Sequence, residues 1–244
     1  MKGLLKRLFF PPRCASCREL VDWYGQGVGL CDACMREWEI EKREACAICG
    51  EAVCKCNCMP EEMQKAKCKG FRKLAYYYPN THKKVQNRLI YTIKENAVRN
   101  SFEFLAGELL GAVKEIVGED PTENFLIAYL PRTREAKRRY DVDQAEQLAR
   151  ALSAVSGIEI VRAFERNGGV QQKELTPAQR TKNARESYRI RSDVSLKGKQ
   201  ILLVDDIVTT GAGMAVGAKL CRRAGAAGVY CLAAASDIVN REIQ

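Results

Sequence analysis

Two adjacent aspartates, Asp205 and Asp206, follow the apolar run Ile201–Val204 and precede a Thr-Thr-Gly-Ala-Gly turn. Paired carboxylates can accept hydrogen bonds from the two hydroxyls of a diol. The backbone N–H groups of a glycine-rich turn, with the N-terminus of a helix behind it, can hold a phosphate. A diol beside a phosphate describes a ribose 5-phosphate, so this stretch predicts a site for that class of ligand. Residues of the predicted phosphate loop are Thr209, Thr210, Gly211, Ala212 and Gly213.

The stretch resembles the motif with which type I phosphoribosyltransferases bind 5-phosphoribosyl-1-pyrophosphate (PRPP). The resemblance implies that Asp205 and Asp206 contact the ribose hydroxyls while the loop wraps the 5′-phosphate. The sequence departs from the motif at Gly213, where the family usually has a hydroxyl residue. The alternative is an ordinary strand, turn and helix with an exposed acidic pair, but such a turn has no need of both aspartates and a Thr-Thr-Gly loop.

Two connectors are rich in Arg and Lys. The first, Pro131–Gln144, directly follows an apolar strand pattern, and the second spans Gly168–Ile190. Pyrophosphate is bound by cations and backbone donors, so a basic connector at a strand end is where one would expect it. Arg132 is therefore a candidate for the same anion site. The alternative is that both connectors are exposed charged surface.

Ten of the twelve cysteines lie between Cys14 and Cys68. Two Cys-x2-Cys pairs, beginning at Cys14 and Cys31, have the spacing of a tetrahedral zinc site; the alternative is two local disulfides. A third pair begins at Cys46, and two of Cys54, Cys56, Cys58 and Cys68 would complete a second site. Cys56 and Cys58 are favoured because Met59-Pro60 follows them and would end the turn. The predicted ligands of about two structural Zn²⁺ are Cys14, Cys17, Cys31, Cys34, Cys46, Cys49, Cys56 and Cys58.

The rest of the chain must position these groups. Residues 1–70 have few large aliphatic side chains and are predicted to be a double zinc-finger module that folds on metal. Residues 71–244 alternate apolar strand patterns with helical ones, which predicts a parallel sheet flanked by helices. Cys221 and Cys231 are interpreted as small buried side chains of this α/β domain. Strands are expected at Leu74–Pro79, Phe125–Pro131, Ile158–Val161, Ser187–Ile190, Ile201–Val204 and Val229–Ala234, and helices at His82–Lys94, Asn100–Val117, from Asp143 and at Gly211–Ala224.

Composition narrows the classes of function. The net charge of +10 favours anionic partners such as nucleotides, pyrophosphate or nucleic acid. The single histidine, His82, makes Ser-His and Cys-His hydrolase sites improbable. The N-terminus lacks a signal-peptide pattern, and no apolar run reaches the length of a membrane span, so a cytoplasmic protein is expected.

Several motifs together resemble the ComF family of the bacterial competence machinery, which imports single-stranded DNA. After the cysteine-rich N-terminus come Tyr91–Lys94 (Y-x-I-K), a strand ending at Pro131, Asp143–Glu146, Gln172–Leu175, Arg180 with Asn183, and the D-D-x-x-T-T-G motif. The order extends over nearly the whole chain. The family commonly has R-G-F-N-Q where this chain has Tyr140–Gln144, and P-V-P where it has Tyr129–Pro131.

The resemblance implies a zinc-finger module fused to a phosphoribosyltransferase-type domain. Under the enzyme interpretation, PRPP with Mg²⁺ loses pyrophosphate to an acceptor that the sequence does not identify. Under the binding interpretation, the chain is a component of DNA uptake that keeps the PRPP fold as a ligand sensor and contacts single-stranded DNA or a partner helicase. No groove with regularly interleaved aromatic residues supports direct DNA binding.

Overall fold

The computed structural model describes residues 11–21, 29–95, 98–118, 124–132, 142–166 and 188–237. Within them, a cysteine-rich part precedes an α/β part, in the predicted order. The helices are α1 (Asp32–Glu41), α2 (Glu61–Lys65), α3 (Val85–Glu95), α4 (Arg99–Val117), α5 (Gln144–Ser156) and α6 (Ala212–Arg223), and the strands are β1 (Gly70–Tyr77), β2 (Phe125–Tyr129), β3 (Phe164–Arg166), β4 (Tyr188–Ile190), β5 (Gln200–Val208) and β6 (Gly228–Asp237).

The main sheet is parallel, with strand order β1-β6-β5-β2. Side chains of β5 alternate between two apolar layers. Leu202 and Val204 pack with residues of α3, α4 and α5, whereas Ile201 and Leu203 pack with residues of α2 and α6. A strand covered on both faces needs an apolar residue at every position, which explains the unbroken run. The predicted fold class, a parallel sheet flanked by helices, is confirmed.

Two of the predicted strands take another form. Ile158–Val161 makes a single bridge, Ile160 to Ile127, beside β2. The strand expected at Ser187–Ile190 is β4, which pairs antiparallel with β3 in a separate two-stranded sheet. Of the six residues in β3 and β4, only Phe164 is buried. So few buried side chains leave too short a pattern to assign a pairing partner from the sequence.

The cysteine-rich part shares its core with the α/β part. Leu30 and Trp38 belong to the same apolar cluster as Leu89 of α3 and Phe104 of α4. The Trp38 indole Nε1 donates a hydrogen bond to the Glu108 carboxylate at 2.8 Å. The division into residues 1–70 and 71–244 therefore stays a proposal about sequence organisation. Among the described helices, none combines the length and the apolar character that crossing a bilayer would require.

Candidate functional site

Arg132, Asp205 and Asp206 lie just beyond the point where the pairing of β2 with β5 ends. The last pair joins Tyr129 to Val204, so the residues that follow in each segment lie at the same end of the sheet. The Arg132 guanidinium Nη2 donates to Asp206 Oδ2 at 3.0 Å, and both side chains are largely shielded from solvent. The Arg132 backbone N–H donates to Asp143 Oδ2 at 2.9 Å. Asp143 is the N-cap of α5, so the start of that helix fixes the course of the chain after β2.

The two aspartates lie inside β5, which continues to Val208 rather than ending at Val204. The extension arises because β6 pairs alongside, with Asp205 opposite Ala233. Asp205 Oδ1 accepts the Asp206 N–H at 2.9 Å. Burial, and then the neighbouring Asp206 charge, raise the pKa of Asp205 well above its ordinary value. Two adjacent carboxyl groups, with Asp206 buried and Asp205 partly buried, favour a ligand that brings hydroxyl donors to them.

Thr209 and Thr210 form the exposed part of the predicted phosphate loop, and α6 begins at Ala212, so the last two predicted loop residues lie in its first turn. Gly211 is the N-cap of α6 and has φ +73°, in the left-handed region. A Cβ on Gly211 would lie 2.9 Å from the Met63 side chain and 3.0 Å from Pro60. Glycine is therefore required there for both conformation and space. The arrangement of a tight turn ahead of a helix N-terminus is one that binds phosphate through backbone N–H groups.

Gly213, in the first turn of α6, has its φ outside the left-handed region. A Cβ there would meet only the Leu130 Cδ1 atom, at 3.7 Å, which is an ordinary van der Waals contact. The backbone and surroundings of Gly213 would therefore allow a side chain with a hydroxyl group, although the sequence has none there.

The eight predicted metal ligands form two groups of four, with the sulfurs of each group within 4.8 Å of one another. Tetrahedral zinc with Zn–S bonds of about 2.3 Å places its sulfurs about 3.8 Å apart. Cys17 and Cys31 have their sulfurs at 3.7 Å, and Cys49 and Cys56 at 3.6 Å. Both groups could therefore hold zinc, and the cysteines that lie with Cys46 and Cys49 are Cys56 and Cys58, the pair that the sequence favoured.

The two groups are built on knuckles of the same backbone form. The Cys14 N–H donates to the Glu19 carbonyl at 2.8 Å, and the Cys46 N–H donates to the Glu51 carbonyl at 2.8 Å. The residue after the second cysteine has positive φ in each, 68° at Arg18 and 75° at Gly50. The sequence signals this turn at Gly50 but not at Arg18.

The thiols within each group differ in pKa. Burial opposes ionisation of Cys14 and Cys46, but N–H donors outweigh it and lower the pKa to about 7 for Cys14 and about 6 for Cys46. Burial, followed by the neighbouring thiols, raises the pKa of Cys58 to about 12. Four thiols packed so closely can all ionise only with a cation among them, which is the chemistry of a zinc site.

A cation from the α/β part contacts each group. Arg88 of α3 places Nη2 3.5 Å from Cys34 Sγ, and Lys73 of β1 places Nζ 3.5 Å from Cys56 Sγ. Zn²⁺ with four thiolates carries a net charge of about −2, so a neighbouring cation stabilises it. Neither Lys73 nor Arg88 was predicted from the sequence to lie beside the cysteine groups. The signal for Lys73 was a lysine inside an apolar strand pattern, and Arg88 gave none.

A cleft of about 290 Å³ separates the second cysteine group from the phosphate loop. Thr209 and Thr210 line one side of it, Cys46 and Cys58 line another, and Lys73 of β1 also faces it. Lys73 is only 4% exposed, so the cleft holds a shielded ammonium group.

Some predicted residues take no part in these groups. Cys68 lies outside the second cysteine group, with its sulfur 3.8 Å from that of Cys231. Cys221 and Cys231 are buried in the apolar layer under α6, as predicted. Of the basic connectors, residues 133–141 and 167–187 lie outside the described residues. The second of these ranges includes Gln172–Leu175, Arg180 and Asn183, which belong to the motifs named above.

Comparison with known proteins finds a family match within the α/β part. Residues 142–241 match the model of the phosphoribosyl transferase domain. A curated relative, the ribose-phosphate pyrophosphokinase of Thermococcus kodakarensis, is 34% identical over 86 residues, which are 35% of this chain and 26% of that protein. The aligned stretch thus spans about a quarter of that relative's length.

Solved structures resemble the chain more weakly. The glutamine PRPP amidotransferase from B. subtilis is 19% identical, with a TM-score of 0.39, and the alignment covers 59% of this chain and 30% of that one. A hypoxanthine phosphoribosyltransferase from Staphylococcus aureus is 11% identical, with a TM-score of 0.37, covering 59% of this chain and 67% of that one. The identification of a phosphoribosyltransferase-like domain rests on the sequence match and not on these likenesses.

Proposed function

We propose that the chain binds PRPP or a related ribose 5-phosphate where β2 and β5 end, and that it serves natural competence as a ComF-type protein of the cytoplasm. The proposal of PRPP binding is supported by one observation: Asp205, Asp206 and Arg132 lie close together at one end of the sheet, beside a phosphate-type loop. The phosphate loop would hold the 5′-phosphate, and the aspartates would accept hydrogen bonds from the ribose hydroxyls.

Turnover, under the enzyme interpretation, breaks the bond from C1 of the ribose to pyrophosphate as a nucleophile attacks C1, and the electron pair leaves with pyrophosphate. The phosphate loop and the aspartates would hold the ring in place while C1 gains oxocarbenium character. Arg132 would lie beside the departing group and is already oriented by its ion pair with Asp206. Mg²⁺ bound with pyrophosphate would supply further positive charge, and carboxylate oxygens such as those of Asp205 and Asp206 are ligands that it prefers.

Calorimetric titration with PRPP and Mg²⁺ tests the binding site, and a pyrophosphate-release assay tests turnover. Asp206→Asn keeps the side-chain shape and removes a charge, so we expect PRPP affinity to fall about tenfold or more. Asp205→Asn should weaken PRPP by a similar factor, because each carboxylate is proposed to accept a hydrogen bond from a ribose hydroxyl. Asp193→Asn, at an exposed acid paired with Arg191, is the matched control. Wild-type protein that binds no PRPP with Mg²⁺ present would refute the proposal.

The second candidate is a non-catalytic component of DNA uptake that keeps the fold as a ligand sensor and contacts single-stranded DNA or a helicase. The order of the ComF-like motifs and the net charge of +10 favour it. Binding through phosphates should weaken steeply between about 50 and 200 mM salt and be nearly independent of base sequence. Changing Arg138 and Arg139 together to Ala should flatten that dependence in a gel-shift titration. If the protein shifts no DNA at low salt, only the version with a protein partner remains.

A further inference from the structure

The second cysteine group and the phosphate loop face each other across one cleft. Cys46 and Cys58 line the same cleft as Thr209 and Thr210. The residues of the first cysteine group do not line it; that group contacts α3 and α4 instead, where Thr92 and Ser101 donate hydrogen bonds to the Ala15 carbonyl. The two groups therefore stand in different relations to the proposed ligand site.

The segment after Cys58 determines the space available to the loop. Pro60 and Met63 are the nearest neighbours of the position that a Cβ on Gly211 would occupy. Met63, in the short helix α2, is fully buried and packs in the same apolar cluster as Met214 of α6. Because α2 begins at Glu61, only three residues after Cys58, its position depends on how that cysteine is held.

Lys73 makes a second connection between the group and the cleft. Its ammonium donates to Cys58 O at 3.3 Å and contacts Cys56 Sγ at 3.5 Å. The same ammonium lies over the Phe71 ring, 5.1 Å from its centroid. When the four thiols are ionised around a metal ion, their negative charge holds the Lys73 ammonium beside them. When the metal is lost and the thiols separate, the ammonium remains shielded in the cleft without an anionic partner, which is unfavourable.

We propose that the second cysteine group, Cys46, Cys49, Cys56 and Cys58, is one wall of the ribose-phosphate site, so that metal in this group and ribose 5-phosphate on the loop strengthen each other's binding. Met63 and Lys73 are the positioning residues that connect them. The inference rests on the proposed ribose-phosphate site. It assigns the two metal sites unequal roles, because only the second has contacts that reach the loop.

A pair of variants separates the two sites. Cys49→Ser and Cys17→Ser each remove the second thiol of a knuckle in the full-length chain, and metal analysis should find about one zinc lost in both. Titration with ribose 5-phosphate should show about tenfold weaker binding for Cys49→Ser and little change for Cys17→Ser. Equal affinities in the two variants would overturn the inference, whether both fall or neither does. If wild type itself binds no ribose 5-phosphate or PRPP, the proposed function fails instead.

Met63→Ala tests the connection with all eight thiols in place. It should leave about two zinc ions bound but weaken ribose 5-phosphate about fivefold, because the wall behind Gly211 is lost. Met35→Ala, at a partly buried position near the first group, is the control and should bind as wild type does. If Met63→Ala binds ribose 5-phosphate as tightly as wild type, Met63 does not connect the second cysteine group with the phosphate loop.

Reciprocity gives a readout that a merely structural metal would not produce. If ligand binds more tightly to the metal-loaded second group, saturating ribose 5-phosphate must raise the zinc affinity of that group by the same factor. Competition with a chelator should therefore show one of two zinc ions protected by the sugar phosphate, and Lys73→Met should reduce the protection. Identical chelation curves with and without ribose 5-phosphate would overturn the linkage.

Discussion

Gly213 occupies the position at which the PRPP motif that the phosphate loop resembles usually has a hydroxyl residue. Its backbone and surroundings accept a side chain, with Leu130 the nearest neighbour at 3.7 Å. We expect Gly213→Thr to bind PRPP as well as wild type or up to about fivefold more tightly, since one added neutral hydrogen bond contributes about 1 kcal/mol. The measurement is calorimetric titration.

Gly211→Val is the opposite case and should abolish PRPP binding in the same titration, because Gly211 has φ +73° and Met63 lies against it.

We expect Cys68 to be the most reactive of the three neighbouring thiols Cys68, Cys221 and Cys231, since it alone among them is partly exposed. The Cys231 thiol, which donates to it, and the positive charges of Arg222 and Lys219 lower its pKa, although burial opposes them. Burial raises the pKa of Cys221 to about 12. A lowered pKa means more thiolate at neutral pH, so maleimide should modify Cys68 before Cys221, as peptide mass mapping would show. Faster labelling of Cys221 would contradict this.

At the scale of elements, α6 packs closely on the sheet through Gly217. A Cβ there would lie 2.8 Å from Leu203 Cδ2 and 3.2 Å from Leu130 Cδ2. We expect Gly217→Ala to lower the free energy of unfolding by about 1–3 kcal/mol, because these side chains must move. Gly107→Ala is the control: it lies exposed in α4 with open space around it, and should raise stability by up to about 1 kcal/mol. Urea unfolding measures both, and a shift in the same direction would contradict the packing argument.

Elements with strong local signals were predictable, and those that depend on distant partners were not. The run Ile201–Val204 with the acidic pair after it located β5 and the loop, because burial and turn chemistry are both local. Met59-Pro60, a chain-breaking signal, favoured Cys56 and Cys58, and these are the two cysteines that lie with Cys46 and Cys49. Contacts that join the two parts of the chain, such as Lys73 to Cys56 and Met63 to Gly211, have no sequence signature, since each residue taken alone resembles an ordinary strand or helix residue.

At the scale of the molecule, metal and core are expected to stabilise each other. Atomic absorption should find about two zinc ions per chain. Cys31→Ser should retain about one and lower the melting temperature of the α/β part as well, because Cys34 and Trp38 share an apolar cluster with Leu89. Loss of several kcal/mol of metal binding corresponds to roughly 5–10 °C or more in a chain of this size. An unchanged near-ultraviolet melting curve would contradict the shared core.

The contact between Arg88 and Cys34 has a consequence for the growing polypeptide. The four thiols of the first group are all present once Cys34 has been synthesised, but their cation follows 54 residues later. At the usual speed of translation, about 5–20 residues per second, that interval lasts about 3 to 11 s. During it, the nascent thiols have only their own knuckles to hold zinc against competing metals and oxidants. We therefore expect the metal captured at this stage to be selected by the four thiols alone, before Arg88 and the helix that carries it have been made.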